Sequence, residues 1–216
     1  MKKILLILAL LISVFTAHAQ QEEKAKAILD EMSTKYRDLP AYKVNFVNKM
    51  ENRVENISEQ YSGSIIVKQD KFKLTIGDQE VYNNGETVWT YFSDVNEVNI
   101  DDFEEDEGDM TPVTIYNGYQ EGYKYRFVEE KKSGPRSYNV VELQPLPDSD
   151  QFEDLIKIKL EIDASENTVD FMEIFDKSGS VYSYKMSGFT PQSNVSDSVF
   201  EFDVAAHPDV EVVDLR

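Results

Sequence analysis

The sequence predicts a mainly β protein with one long N-terminal helix, on three observations. Apolar and polar residues alternate with period two in about a dozen segments, spaced roughly 8–12 residues apart, the signal for an all-β sandwich or barrel. Turn dipeptides separate these segments, among them Gly77-Asp78, Asn84-Gly85 and Ser178-Gly179. Helical spacing occurs in one long stretch, residues 22–37, where Ala25, Ile28, Leu29, Met32 and Tyr36 share a face; such a lone stripe must be buried on a sheet.

The chain opens with Lys2 and Lys3, an apolar run from Ile4 to Phe15 and Ala17-His18-Ala19. That is the order of an exported leader, so residues 1–19 are expected to be removed, leaving 20–216 as a single domain. The apolar run falls short of the roughly 20 residues of a membrane span, which disfavours an uncleaved anchor. Gln20 stands where a lipid-anchored protein would need cysteine. The short basic start reads as bacterial and the expected location is the periplasm.

Leu39-Pro40 ends the helix, because proline disfavours helix at the residue before it. From Tyr42 the pattern is that of strands: Val44, Phe46, Asn48 and Met50, then 60–68, 71–76, 79–83, 86–92 and 95–100. Phe72, Leu74 and Ile76 alternate with Lys71, Lys73 and Thr75, predicting one apolar face and one wet one. Thr87 to Phe92 is aromatic on both faces, so Trp89 is expected on either side. Asp101 to Asp109 has seven acidic residues in nine, predicting an exposed loop. A calcium loop needs glycine at its sixth position, and counting from Asp101 places Asp106 there.

Thr111-Pro112 is set to open a short helix. Strands are then expected at 123–127, 138–143, 156–162, 169–173 and 181–189, with Phe200, Phe202 and Val204 in the last and an extended tail from Pro208. Sequential hairpins make the sheet antiparallel.

Composition narrows the chemistry. The formal charge of −19 disfavours nucleic acid and anionic headgroups as partners. With no cysteine there is no disulfide, thiolate metal site or cysteine nucleophile. One of the two histidines, His18, leaves with the leader, and a catalytic triad would have to be built on His207 without a Gly-x-Ser-x-Gly elbow. The 41 acidic residues make any paired carboxylates uninformative. No metal or cofactor is expected, and an exported hydrolase is the lesser alternative. Twelve Tyr, twelve Phe and one Trp fit a β core. A dozen strands nevertheless carry more apolar surface than one helix covers. The sheet either closes and fills with side chains or leaves an apolar cavity suited to a hydrophobic ligand.

One order of segments is specific: an exported amphipathic helix; Ala41-Tyr42-Lys43-Val44-Asn45-Phe46; Gly63-Ser64-Ile65-Ile66-Val67-Lys68; Lys71-Phe72-Lys73; Asn84-Gly85-Glu86-Thr87-Val88-Trp89-Thr90-Tyr91; and Phe200-Glu201-Phe202. It resembles the bacterial outer-membrane lipoprotein carrier family, LolA-like. The resemblance implies a half-open antiparallel barrel of about eleven strands with a helical lid over an apolar cavity. It implies no bond-making chemistry. The chain would be a monomeric periplasmic carrier taking acylated lipoproteins from an inner-membrane ABC-type releasing transporter to an unidentified outer-membrane acceptor. A carrier or sensor of another envelope lipid is the alternative. The acyl-chain residues implied are Phe46, Phe72, Leu74, Trp89 and Tyr91 on strands, and Ile28, Leu29 and Met32 on the lid. The family often places Arg-Pro before the Lys-Phe strand, the arginine latching the closed lid; here those places hold Gln69-Asp70, which cannot.

Overall fold

The computed structural model describes residues 2–103, 119, 120, 122–149 and 153–216, with residues 2–19 described by their backbone. One α-helix, α1 (Lys2–Arg37), precedes β1 (Ala41–Asn52), β2 (Ile57–Lys68), β3 (Lys71–Ile76), β4 (Gln79–Asn83), β5 (Thr87–Phe92) and β6 (Glu97–Asp102). Then follow β7 (Tyr123–Ser133), β8 (Arg136–Pro145), β9 (Leu155–Asp163), β10 (Val169–Asp176), β11 (Ser180–Gln192) and β12 (Glu211–Asp214). The helix thus starts well before residue 22, and its backbone runs through the expected leader. Thr111-Pro112 and residues 104–109 of the acidic loop lie outside the described residues. Asp101 and Asp102 end β6 rather than beginning a loop.

Two compact units make up the chain: Met1–Tyr36 with Thr111–Val181, and Arg37–Met110 with Tyr182–Arg216. Hydrogen-bonded neighbours run β10-β9-β8-β7 in the first and β12-β6-β5-β4-β3-β2-β1-β11 in the second. Among the described residues the strand order has twelve members with β12 and β7 at its ends, and no pairing of those two closes it. This is the mainly β, half-open architecture expected, one strand longer than the implied eleven.

In the first unit α1 buries Ala25, Ile28, Leu29, Met32 and Tyr36, the stripe read from spacing. The Tyr36 hydroxyl accepts from the Val169 amide at 3.0 Å, and Tyr119 donates to Asp30 at 2.5 Å. Val140, Val141, Leu143, Ile158, Leu160, Ile162 and Met172 are fully buried. Ile156 breaks the expected alternation: it is 52% exposed while Leu155 is buried. The cause is an irregularity in the β9–β10 ladder, where Phe175 opposes Lys157 but Asp176 opposes Leu155, leaving Ile156 unpaired.

In the second unit tight turns set the register. Gly77-Asp78 joins β3 to β4 with Ile76 opposite Gln79, and Gly77 takes φ +57°. Gln69-Asp70 joins β2 to β3 with Lys68 opposite Lys71, and Gln69 takes φ +58°, an uncommon conformation for a side chain of its size. The β4–β5 connection is longer than the two-residue hairpin expected of Asn84-Gly85. The Asn84 side chain accepts from the Glu86 and Thr87 amides, at 3.0 and 2.9 Å, and so holds a wider loop.

The C-terminal region departs most from expectation. Phe200–Val204 is not a strand: it lies between short 3-10 turns at Asp197–Phe200 and Val204–Ala206. Its start is pinned near the β2–β3 turn, where Lys68 and Lys71 both reach Asp197, at 2.6 and 3.1 Å. Phe202 packs with Tyr82 of β4 and Tyr91 of β5. Asn96 donates to the Pro208 carbonyl at 3.2 Å. The chain then adds β12 alongside β6 as a parallel pair in a sheet expected to be antiparallel throughout.

Gly63 sits where β1, β2 and β3 meet. A Cβ there would fall 2.5 Å from the Phe46 ring and 2.5 Å from the Thr75 carbonyl oxygen. The backbone oxygen cannot move aside without breaking the ladder. Gly63→Ala is therefore expected to lower unfolding stability by about 1–3 kcal/mol. A urea denaturation midpoint unchanged from the parent would show that the close approach is not required.

Candidate functional site

The registers of β1 to β6 place side chains in three rows across one face of the sheet. The first row is Tyr42, Val67, Phe72, Asn83, Val88 and Asp101. The second is Val44, Ile65, Leu74, Val81, Thr90 and Asn99. The third is Phe46, Gly63, Ile76, Gln79, Phe92 and Glu97. Side chains opposite one another on paired strands share a face, so Phe46, Phe72 and Leu74 are brought together as expected.

This face is graded. At β1 to β3 every side chain in the three rows is apolar, and at β6 all three are polar. Tyr42, Val44, Phe46, Ile65 and Val67 are buried, whereas Phe72, Leu74, Ile76, Val81, Val88 and Phe92 are only half-buried. Half-burial holds on both faces of β3 and β5, so the dry-versus-wet contrast expected of β3 is not realised. Six half-exposed apolar residues on three neighbouring strands form a contiguous surface able to take apolar material.

Trp89 and Tyr91 occupy the opposite face. Trp89 pairs with Tyr82 and Ile100, Tyr91 with Glu80 and Val98. They pack on the cluster of Tyr82, Val98 and Phe202, together with Val210. Tyr91 and Phe202 have ring centroids 5.0 Å apart, and Phe202 stacks on His207 at 4.3 Å. The Tyr91 hydroxyl donates to Asn96 at 3.1 Å. Ile28, Leu29 and Met32 are buried in the helix of the first unit. The eight residues expected to act together are thus divided among α1 and the two faces of the second unit's sheet.

His207, the one histidine available to a catalytic reading, is packed by Tyr91 and Phe202. Its Nδ1 lies 2.8 Å from the Asp203 carbonyl, which makes Nδ1 the protonated nitrogen. Among the described residues no group of three or more His, Asp or Glu side chains could hold a metal ion.

Sequence reasoning missed three asparagines. Asn48, Asn83 and Asn99 each bury a side-chain polar atom that finds no hydrogen-bond partner among the described residues: Nδ2 of Asn48, Nδ2 of Asn83 and Oδ1 of Asn99. All three belong to the Phe46–Phe72 face, since Asn48 follows Phe46 by two residues on β1. The available signal was a polar residue at an apolar phase of the alternation, as in Val44, Phe46, Asn48 and Met50.

The profile of the family described as outer membrane lipoprotein carrier protein LolA matches residues 15–141, more than half of the chain. The chain belongs to this family. No curated protein matches it in sequence. Among solved structures, an uncharacterized conserved protein from Thermus thermophilus is 14% identical with a TM-score of 0.58, covering 88% of this chain and 99% of that one. A LolA superfamily protein from Nitrosomonas europaea is 14% identical with a TM-score of 0.44, covering 82% and 97%. A putative outer membrane lipoprotein-sorting protein domain from Vibrio parahaemolyticus is 12% identical with a TM-score of 0.47, covering 83% and 97%. At such identities structural likeness speaks to fold alone, and the Thermus protein supplies it for this LolA-family chain.

Charges tighten the LolA-family sheet. On the Trp89 face, burial opposes ionisation of Glu80, but the Tyr82 hydroxyl and the Lys73 ammonium outweigh it and hold its carboxyl below the ordinary value. Lys73 reaches Glu80 at 3.2 Å and lies 4.5 Å over the Tyr82 ring. In the first unit, burial likewise opposes ionisation of Glu142, yet Lys157 and Arg126, at 2.8 and 2.9 Å, hold its carboxyl low. Asp30 is held low by Lys26 and Tyr119. A carboxylate with a lowered folded pKa stabilises the fold above its unfolded value and loses that contribution as pH falls through the folded one. Stability measured by urea unfolding is therefore expected to be steady near neutrality and to decline below about pH 4.5, the ordinary glutamate value. Glu142→Gln should cost about 1.5 kcal/mol at pH 7 and flatten the acid limb; a steeper limb would contradict this assignment.

Proposed function

We propose that the protein is a periplasmic carrier whose apolar sheet face holds the acyl chains of lipoproteins. The observation that supports this reading is the graded, half-exposed surface of β3 to β5, carrying Phe72 and Leu74, on a chain of the LolA family. Burial of acyl carbons is worth about 0.8 kcal/mol per CH₂. A few methylenes against this surface would give useful affinity, and a full chain would compete with return to a bilayer.

The carrier is proposed to receive acylated lipoproteins from an inner-membrane ABC-type releasing transporter and to pass them to an outer-membrane acceptor. It makes and breaks no covalent bond. Phe46 is assigned to the floor of the binding face, because its ring lies against Gly63. Phe72 and Leu74 contact the chain. Trp89 and Tyr91 are assigned to anchoring the C-terminal segment rather than to the ligand. Residues 1–19 are proposed to serve as the export leader.

Purified protein is expected to bind a triacylated lipopeptide and not its deacylated form, measured by displacement of a fluorescent acyl probe. Leu74→Asp should weaken binding at least about tenfold, about 1.4 kcal/mol or two methylenes. Val47→Asp, on the opposite face of β1, should leave it unchanged. Equal binding of acylated and deacylated peptides would sink the carrier reading.

A further inference from the structure

The apolar face carries a buried donor that finds no acceptor among the described residues. Asn83 is fully buried, at 0% exposure. Its Oδ1 accepts the Gly85 amide at 2.7 Å, and this bond fixes the amide orientation. A flip would place Nδ2 against the Gly85 N–H and lose the bond. Nδ2, a donor only, is left without a partner among the described residues. Its neighbours along the row are Phe72 and Val88. A trapped water would need two or more polar partners, and these two side chains offer none. A buried donor left unmade carries its full desolvation cost. That cost is tolerable where a ligand supplies the acceptor.

Pure hydrocarbon has no acceptor. A phosphate or free carboxylate would bring negative charge to a face that also carries Asp101 and Glu97. The acceptor that fits is neutral. We propose that Asn83 recognises the carbonyl oxygen of the ester or amide linking an acyl chain to its head, with Nδ2 as donor. The chain then runs over Phe72 toward β1 and the head lies toward β6. That orientation follows the grading of the face, apolar at β1 to β3 and polar at Glu97, Asn99 and Asp101. Asn99 Oδ1, also buried and without a partner among the described residues, stands at the polar end as an acceptor for the head.

The inference rests on the acyl-binding reading, and one pair of ligands separates the two. Dihexadecanoyl glycerol has ester carbonyls; dihexadecyl glycerol has chains of the same length on the same neutral head through ether links. Both are titrated at pH 8 against the purified protein holding a fluorescent acyl probe. The parent is expected to bind the ester about tenfold more tightly, equivalent to about 1.4 kcal/mol. Asn83→Asp keeps the acceptor used by Gly85 and removes the donor, so the ester preference should vanish while ether binding persists. Equal affinity of the parent for both lipids overturns the carbonyl assignment and leaves acyl binding standing. Ester preference that survives in Asn83→Asp overturns it too, by placing the donor elsewhere. Binding of neither lipid overturns the acyl-binding reading and this inference together.

Discussion

Register is the constraint on which the second unit depends. Side chains alternate along a strand, so a slip of one residue would carry a whole set to the other face. With β3 slipped by one, Lys71, Lys73 and Thr75 would join Phe46, and Phe72 and Leu74 would meet Tyr82. The two-residue connections at Gln69-Asp70 and Gly77-Asp78 leave no slack for such a slip. Gly63 and Phe46 fix it again from β1, because only a residue without Cβ lets that ring lie beside the Thr75 carbonyl. Separation of the Phe46–Phe72 face from the Trp89–Tyr91 face is thus decided by a few backbone positions.

The second face gains its cover from far along the chain. Asp197 meets Lys68 and Lys71 at one side, Phe202 and His207 cover Tyr82 and Tyr91 in the middle, and β12 joins the edge strand β6. The exposed ion pairs at Asp197 contribute little energy and serve to place the segment. Burial of Phe200 and Phe202 supplies most of the hold. A parallel addition at the edge also occupies β6, whose unpaired amides would otherwise invite another strand.

Much of this fold was legible in the sequence because period two is a strong signal where one strand face is covered. Ile158, Leu160 and Ile162, and the stripe from Ala25 to Tyr36, are buried as read. The failures have local causes. Ile156 fell to a ladder irregularity, which alternation cannot reveal. Phe200-x-Phe202 has the spacing of a strand, yet Asp203 accepts from the Ala205 and Ala206 amides and turns the chain into 3-10 geometry. The family resemblance groups Trp89 and Tyr91 with Phe72, whereas a strand aromatic on both sides leaves their face open, and pairing tells the sides apart. On the graded face of the candidate site the apolar positions were legible and the buried asparagines were not: polar residues in strands are common, and only burial exposes an unmade bond.

Gln69-Asp70, the point of departure from the family pattern, has a structural use of its own. Gln69 accepts a left-handed backbone to close a short turn, and the Asp70 carboxylate lies where a Cβ on Gly85 would clash, 2.7 Å away. Gly85 in turn gives its amide to Asn83. The β2–β3 turn, the β4–β5 loop and the buried asparagine therefore form one connected arrangement at a single end of the sheet. An Arg-Pro pair would supply a long cation at this corner. Gln-Asp instead supplies a short anion beside Gly85, whose amide is bonded to Asn83. Removal of the arginine need not leave the protein without control of its ligand. Affinity in this chain would follow from how well the acyl linkage satisfies a donor already in place, and release from any acceptor that offers the ligand's carbonyl a better partner.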